Sequence, residues 1–336
     1  MKTDFIEAIP VPAFVISPED NIAGVNAAFR DVFSNVQIGR SYLTVLRQSE
    51  LVSMIDRVRS GIKGGSVDFI IRGQKEQTFR ATGTGLGKSD VLICLQDIHE
   101  TKAAIEIRQN FVTDLGHELK TPLTSISGIL ETCETDPDAI SHFIPILSRE
   151  VERMKTLVDD LLTLSRVERN ERRVPNQTVT LQTVAEEACV PLATLADMAG
   201  IRIVTELPEV PIEFSGDANE IVRAISNLVE NSIRYGHRGG VVKVSGGFIQ
   251  PTALGAEKLV SIEVSDDGPG VEAHHIPRLT ERFYRADSHR SRDTGGSGLG
   301  LAIVKHIAMH HRGQISFESA RGQGLKVILE LPVKQT

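Results

Sequence analysis

Between residues 140 and 161, Ile140, Ile144, Leu147, Val151, Met154, Val158 and Leu161 recur in alternating steps of four and three without a slip. That spacing belongs to a helix whose apolar seam must be covered by other helices. Upstream, Val112, Leu115, Leu119, Leu123, Ile126 and Leu130 recur at threes and fours on a second helix. The break ETDPDA, with Asp136 and Pro137, marks the stop and restart between the two. Two helices alone cannot bury stripes on both members, so a symmetric four-helix bundle from two chains is the economical solution. The expectation is a helical hairpin over 101–170 within a homodimer. The alternative packs the hairpin on its own chain's other domains.

The full length of 336 residues suits two or three domains. Residues 1–100 alternate short apolar strands with turns, PAFVIS and IAGVN before a helix-like AAFRDVF, and further strands are expected at 67–71, 78–84 and 91–98. The charged segment VERNERRVPNQ, 167–177, ends in proline and reads as a hinge. Over 178–336, helices at 181–199 and 219–235 alternate with strands at 202–207, 241–248, 259–265 and 326–331. The fold class expected is therefore multidomain α+β: an N-terminal α/β unit, a helical hairpin, and a C-terminal helical layer on a mixed sheet.

A net charge of −7 and a pI near 5.8 argue against direct nucleic acid binding. Cys94, Cys133 and Cys189 are scattered without CxxC spacing and read as reduced packing residues. No apolar run approaches the roughly 18 residues of a membrane span, and MKTDFIEAIP lacks the pattern of a signal peptide. The chain is expected to be cytoplasmic, or membrane-associated if an N-terminal segment was omitted.

The chemistry is concentrated first in FVTDLGHELKTPL, residues 111–123. His117 and Thr121 lie four apart on one helix face, Glu118 follows the histidine, and Pro122 removes the amide that would bond the carbonyl of Glu118, so a bend is expected there. His117 falls about 200° round the axis from Leu115 and so points to solvent, away from the seam. An ordinary surface histidine is the plain alternative.

Four clusters downstream carry nucleotide chemistry. In NLVENSIRY, Asn227 and Asn231 lie four apart, so both amide oxygens can reach one Mg²⁺ that also holds triphosphate oxygens. Arg234 is one turn on, placed to meet a phosphate, with Tyr235 beside the nucleotide. In VSDDGPG a strand runs into a turn where Asp266 can accept from an adenine amino group, with Gly268 and Gly270 admitting close approach. In ERFYRAD, Phe283 and Tyr284 can anchor a loop from which Arg285 swings toward a γ-phosphate. Last, GGSGLGLAIVKHIA, 295–308, leads a glycine-rich loop through Gly296, Gly298, Leu299 and Gly300 into a helix, a site for phosphate oxygens that lacks the GK[ST] ending of a Walker loop. Separately, each cluster could be a solvated helix face or a simple turn.

Together these segments carry a resemblance. FVTDLGHELKTPL resembles the H-box of two-component sensor histidine kinases, with Gly116 where a serine is common and Lys120 where an arginine is common. In order and spacing the four clusters resemble the N, G1, F and G2 boxes of the Bergerat-type ATPase domain. GQGLKVILELP is similar to its closing strand, with Leu325 where a small hydroxyl residue is usual. The resemblance covers about 105–334. Asp20, Asn21, Ile22, Asn26 and Phe29 around the first hairpin more loosely resemble a PAS sensory domain, a generic α+β dimerisation domain being the alternative. A histidine-ligated haem there is disfavoured, since no histidine precedes His99. A flavin adduct is too, since Cys94 lies in the last expected strand.

The resemblance implies ATP with Mg²⁺ as cofactors, autophosphorylation of His117, transfer to an aspartate of a cognate response regulator, and a role for Glu118 in orienting the imidazole and taking its proton. It implies that Thr121, with Glu118, helps to dephosphorylate the regulator, and it is nearest in texture to phosphate-regulon sensors. An ATP-binding phosphatase or scaffold without kinase activity is the alternative, and a chaperone- or mismatch-repair-type ATPase leaves the histidine helix without a place.

Overall fold

The computed structural model describes residues 4–62, 64–72, 76–86, 89–136, 140–170, 174–249, 258–286 and 296–334. Pro137, Gly295 and residues 171–173 of the expected hinge lie outside them. The chain separates into two compact units, Met1–Thr113 and Asp114–Thr336.

In the first unit, β1 (Ala13–Ile16), β2 (Ile22–Val25), β3 (Gly65–Arg72), β4 (Glu76–Leu86) and β5 (Asp90–Asp97) form one antiparallel sheet in the order β2-β1-β5-β4-β3. Helices α1 (Asp4–Glu7), α2 (Ala27–Val32) and α3 (Ser49–Arg59) complete it. The alternation along β4, with Phe79 and Ala81 buried and Arg80 exposed, gives the sheet one apolar face. That face closes over a core of Phe14, Phe29, Phe69, Phe79, Leu51 and Met54, in which Phe14 and Phe29 meet at 4.8 Å between ring centroids. Asn26 caps α2 and is itself buried. Its Oδ1 accepts from the amides of Ala13 and Phe29, both at 2.9 Å, and its Nδ2 donates to the carbonyls of Ile9 and Val11 at 2.9 and 2.8 Å. All of its hydrogen-bonding capacity is thereby used.

α4 (His99–Thr135) leaves β5 and runs unbroken through Pro122. The division between units falls within it. At its start Asp68 of β3 receives both Arg80, at 2.7 Å, and Lys102 of α4, at 3.0 Å. Hydrogen bonding from Arg80, helped by Lys102, holds the Asp68 carboxyl down at about 2.

The second unit begins with the rest of α4 and continues with α5 (Ile140–Asn170). The seam residues Ile140, Ile144, Val151 and Val158 are exposed, as are Val112 of the first unit, Leu123 and Leu130. A different stripe of α5 is buried: Leu157, Asp160, Leu164 and Val167. It is on α9 (Gly300–His310) that α5 packs.

Beyond the helices lies a mixed five-stranded sheet of β7 (Arg202–Glu206), β9 (Val241–Ile249), β10 (Leu259–Asp266), β11 (Gln314–Ser319) and β12 (Leu325–Pro332), in the order β11-β12-β10-β9-β7. Only the β7–β9 pairing is parallel. α8 (Ala218–Tyr235) and α9 pack on it, with α6 (Leu181–Cys189) against α8. The sequence pattern misses β11 and the small ribbon of β6 (Gln177–Thr180) with β8 (Glu213–Gly216). It also treats 181–199 as one helix. The structure instead breaks it into α6, a 3₁₀ turn at Val190–Leu192 and α7 (Ala193–Ala199), because Pro191 cannot donate to the preceding turn. α8 starts from Asp217, whose side chain accepts from the amide of Glu220 at 3.2 Å.

Candidate phosphoacceptor and nucleotide site

His117 is exposed on α4, on the side the helical spacing assigns it. Thr121 donates its hydroxyl to the carbonyl of His117 at 3.2 Å, within the same helix. Glu118 faces α5: its Oε2 meets Arg153 at 3.0 Å. The guanidinium of Arg285, largely covered, comes within 3.9 Å of the same oxygen. Arg285 thus lies beside the histidine's neighbour, on the loop expected to reach a γ-phosphate. Arg153 went unnoticed in the sequence, because it lies 35 residues from its partner.

Asp266 ends β10. Its Oδ1 accepts from the amides of Gly268, at 2.9 Å, and Leu325, at 3.2 Å. Burial pushes the Asp266 carboxyl above the usual carboxylate range, against the pull of those two amides and of the Ser232 hydroxyl. Leu325, which stands where a small hydroxyl residue is usual, buries its side chain and supplies the backbone donor that orients Asp266. Gly270 has φ +67°, and a methyl added there would lie 2.1 Å from the carbonyl oxygen of Ala320. The bare backbone at Gly270 therefore admits the β11–β12 turn, a requirement separate from approach to a base.

On α8, Asn227 donates from Nδ2 to the carbonyl of Gly300 at 3.4 Å, tying the helix to the glycine-rich loop. Arg234 fills the space over Gly296, where a methyl would meet its guanidinium at 2.3 Å. Tyr235 is partly exposed, and its carbonyl lies against Gly268. Asn231 is half-buried on the face that it shares with Asn227. Glu230, between these residues, is raised above the usual carboxylate range by burial, against Arg234 and Arg223. Gly298 has φ +72° and sits against the backbone of Phe283, whose amide donates to the Gly298 carbonyl at 2.9 Å. Tyr284 is anchored as well: its hydroxyl meets His275 Nδ1, and Arg278 lies 4.1 Å from its ring centroid. The four sequence clusters so converge at the end of the central strand β10, around α8 and the start of α9.

Glu220, His310 and His311 also converge. His311 accepts from the Asp217 amide at Nε2, 3.0 Å, and its Nδ1 meets the Ile307 carbonyl at 2.8 Å, so both ring nitrogens are committed and burial holds its pKa low. With His310 Nδ1 on Glu220 at 2.7 Å, the trio is a tie between α8 and α9.

An α/β sandwich of this kind, joined to two long helices that expose a histidine, defines a nucleotide-binding domain with a phosphoacceptor domain. Two family models match accordingly: the His Kinase A (phospho-acceptor) domain over residues 107–170, and the histidine kinase-, DNA gyrase B-, and HSP90-like ATPase over 216–335. The phosphate regulon sensor protein PhoR of Pseudomonas aeruginosa is 33% identical over 243 residues, 71% of this chain and 53% of that protein. The sensor-like histidine kinase SenX3 of Mycobacterium tuberculosis is 34% identical over 288 residues, 82% of this chain and 68% of that protein. The chain belongs to the sensor histidine kinase family. It spans about half the length of the first of these relatives. Among solved structures, the Acinetobacter baumannii histidine kinase AdeS superposes with a TM-score of 0.50 at 26% identity, over 65% of this chain and 98% of that one. Histidine kinase ThkA, solved in complex with response regulator protein TrrA, gives a TM-score of 0.55 over 97% of this chain and 96% of that one; at 19% identity it speaks for the fold alone. Among the described residues no helix is long and apolar enough to cross a membrane.

Proposed function

We propose that this chain is an ATP-dependent, autophosphorylating histidine kinase that passes phosphoryl from His117 to an aspartate of a response regulator and also dephosphorylates that regulator. The observation that carries the reading is the exposed His117 on a helix whose next residue, Glu118, is approached by Arg285 from the nucleotide-binding half. A nitrogen of His117 attacks the γ-phosphorus in line, ADP leaves, and the positive charge of Arg285 offsets charge on the transferring group. Glu118 orients the imidazole and takes its proton once a rotamer change frees it from Arg153. Thr121, with Glu118, positions a water that attacks the regulator's aspartyl phosphate, releasing inorganic phosphate and the free aspartate.

Asp266 takes the adenine amino group, with Gly268, Gly270 and Tyr235 lining the base. Asn227 and Asn231 fit Mg²⁺: amide oxygens are hard ligands, and the Nδ2 bond of Asn227 to Gly300 leaves its oxygen for a cation. Bound there, the ion would neutralise phosphate charge. Arg234, Gly296, Gly298, Leu299 and Gly300 hold the phosphates. The exposed seams of α4 and α5 support a homodimer through a four-helix bundle. The functional division is 1–100 sensory, PAS-like in its antiparallel sheet and helices; 101–170 dimerisation and phosphotransfer; and 178–336 catalytic. Incubation with γ-labelled ATP and Mg²⁺ tests the proposal. Label that is acid-labile, alkali-stable and lost in His117→Gln is expected; a wild type that binds ATP yet takes no label would favour a scaffold and refute the kinase reading.

A further inference from the structure

The buried stripe of α5 is apolar at Leu157, Leu164 and Val167 but carries a carboxylate at its second position. Asp160 is 4% exposed. One oxygen pairs with Arg223 of α8, and the other accepts the hydroxyl of Ser297 at 2.7 Å. Ser297 sits between Gly296 and Gly298 in the glycine-rich loop, and its Oγ in turn accepts from the Leu299 amide at 3.1 Å. A buried carboxylate in an otherwise apolar seam selects one packing arrangement over its neighbours, because any shift leaves the charge without partners. Nearby, Glu168 at the end of α5 pairs with Arg282, with His306 of α9 3.5 Å away, so this arrangement is closed at a second point.

The loop pinned by Asp160 is the one assigned above to the ATP phosphates, and the inference rests on that reading. We propose that Asp160 is a positioning residue through which docking of α5 and binding of nucleotide oppose each other. Its anion lies against the loop where phosphate oxygens bring further negative charge, and the burial of Asp160 itself weakens the screening of that repulsion by water. It also occupies the Ser297 hydroxyl, a donor suited to phosphate. Nucleotide therefore loosens the α5 contact, and a docked α5 weakens nucleotide binding by the same factor, as linkage requires. In the docked state Arg223 stays paired with Asp160.

The test is titration calorimetry of the full chain with Mg²⁺–ADP, wild type against Asp160→Asn, together with hydrogen exchange of residues 157–167 with and without nucleotide. Asp160→Asn keeps the shape and removes the charge. It is expected to bind nucleotide at least about fivefold tighter, the lower bound of ordinary site-to-site coupling. A gain in affinity is not what mere structural damage produces. In the wild type, nucleotide is expected to speed exchange across 157–167. Equal or weaker binding by a folded Asp160→Asn overturns the proposal, as does unchanged or slower exchange in the wild type; the second readout decides even if the variant does not fold. A wild type that binds no nucleotide sinks the ATP-site reading and this one with it, whereas normal wild-type binding without the expected shifts sinks this one alone.

Discussion

Three glycines of the ATPase half separate two costs that a single substitution confounds. Gly247 has no atom within 4 Å of an added methyl and an ordinary φ; Gly322 has the same free space but φ +80°; Gly270 has φ +67° and a methyl position 2.1 Å from Ala320 O and 3.0 Å from Gly324 O. Alanine at Gly247 should change stability by less than about 0.5 kcal/mol, as for an uninvolved surface site. Alanine at Gly322 should lose roughly 1–2 kcal/mol from the left-handed backbone alone. Alanine at Gly270 pays that and must also move backbone on the β11–β12 turn by about 1 Å to restore ordinary contact, so roughly 3–4 kcal/mol in all is expected. Calorimetric melting is the suitable assay, since the chain has no tryptophan. At about 2–4 °C per kcal/mol for a unit of this size, the ATPase transition should fall by roughly 2–8 °C for Gly322→Ala and by about 6–16 °C for Gly270→Ala. The moved turn carries the Leu325 amide that holds Asp266, so Mg²⁺–ADP affinity should fall in Gly270→Ala and not in Gly322→Ala. Equal melting of Gly270→Ala and Gly247→Ala would refute the reasoning.

Asp266→Asn should weaken Mg²⁺–ADP binding by about 10–100-fold, the worth of a hydrogen bond to a charged group. Because burial raises this carboxyl, it takes up its proton above the ordinary 3.8 as pH falls. Wild-type affinity should drop through that range, and Asp266→Asn should flatten the acid limb when calorimetry is repeated across pH. By linkage a raised acid is most favourable to folding below 3.8 and least above its folded value, so Asp266→Asn should add stability at neutral pH in a melting experiment. In the first unit, Asn26→Ala leaves the Ala13 amide and the Ile9 and Val11 carbonyls without their partner, a loss of roughly 3–5 kcal/mol at 1–3 kcal/mol per orphaned group after partial relaxation. Asn26→Asp, nearly the same shape but with an acceptor facing two carbonyls, should be as damaging; if denaturant titration shows it neutral, the network is not what orders that corner.

Periodicity made the helices legible. The seam of α5, the exposure of His117 and the four nucleotide clusters depend on residues within a few positions of one another, where helix and turn geometry alone decides the neighbours. Strand positions 67–71 and 78–84 lie within observed strands for the same reason, and 91–98 overruns β5 by Ile98 alone. The second stripe of α5 was also available in principle, since Leu157, Leu164 and Val167 repeat at helical spacing, but a stronger seam on the same helix masks it. Residues 181–199 misled the pattern because apolar spacing continues across Pro191.

What the chain determined by itself is thus its long helices, most of its strands, and the spacing of the candidate site residues along them. Only the tertiary structure decided which distant groups complete that chemistry: Arg153 and Arg285 around Glu118, Arg223 and Ser297 around Asp160, the Leu325 amide on Asp266, and the carbonyl of Ala320 against Gly270. Each joins residues tens of positions apart, and no local rule of helix or strand selects such a partner. The choice is made by which surfaces pack, and buried charges and close backbone contacts then fix it, because a buried group left unpaired, or an atom placed inside another, costs more than any local preference returns.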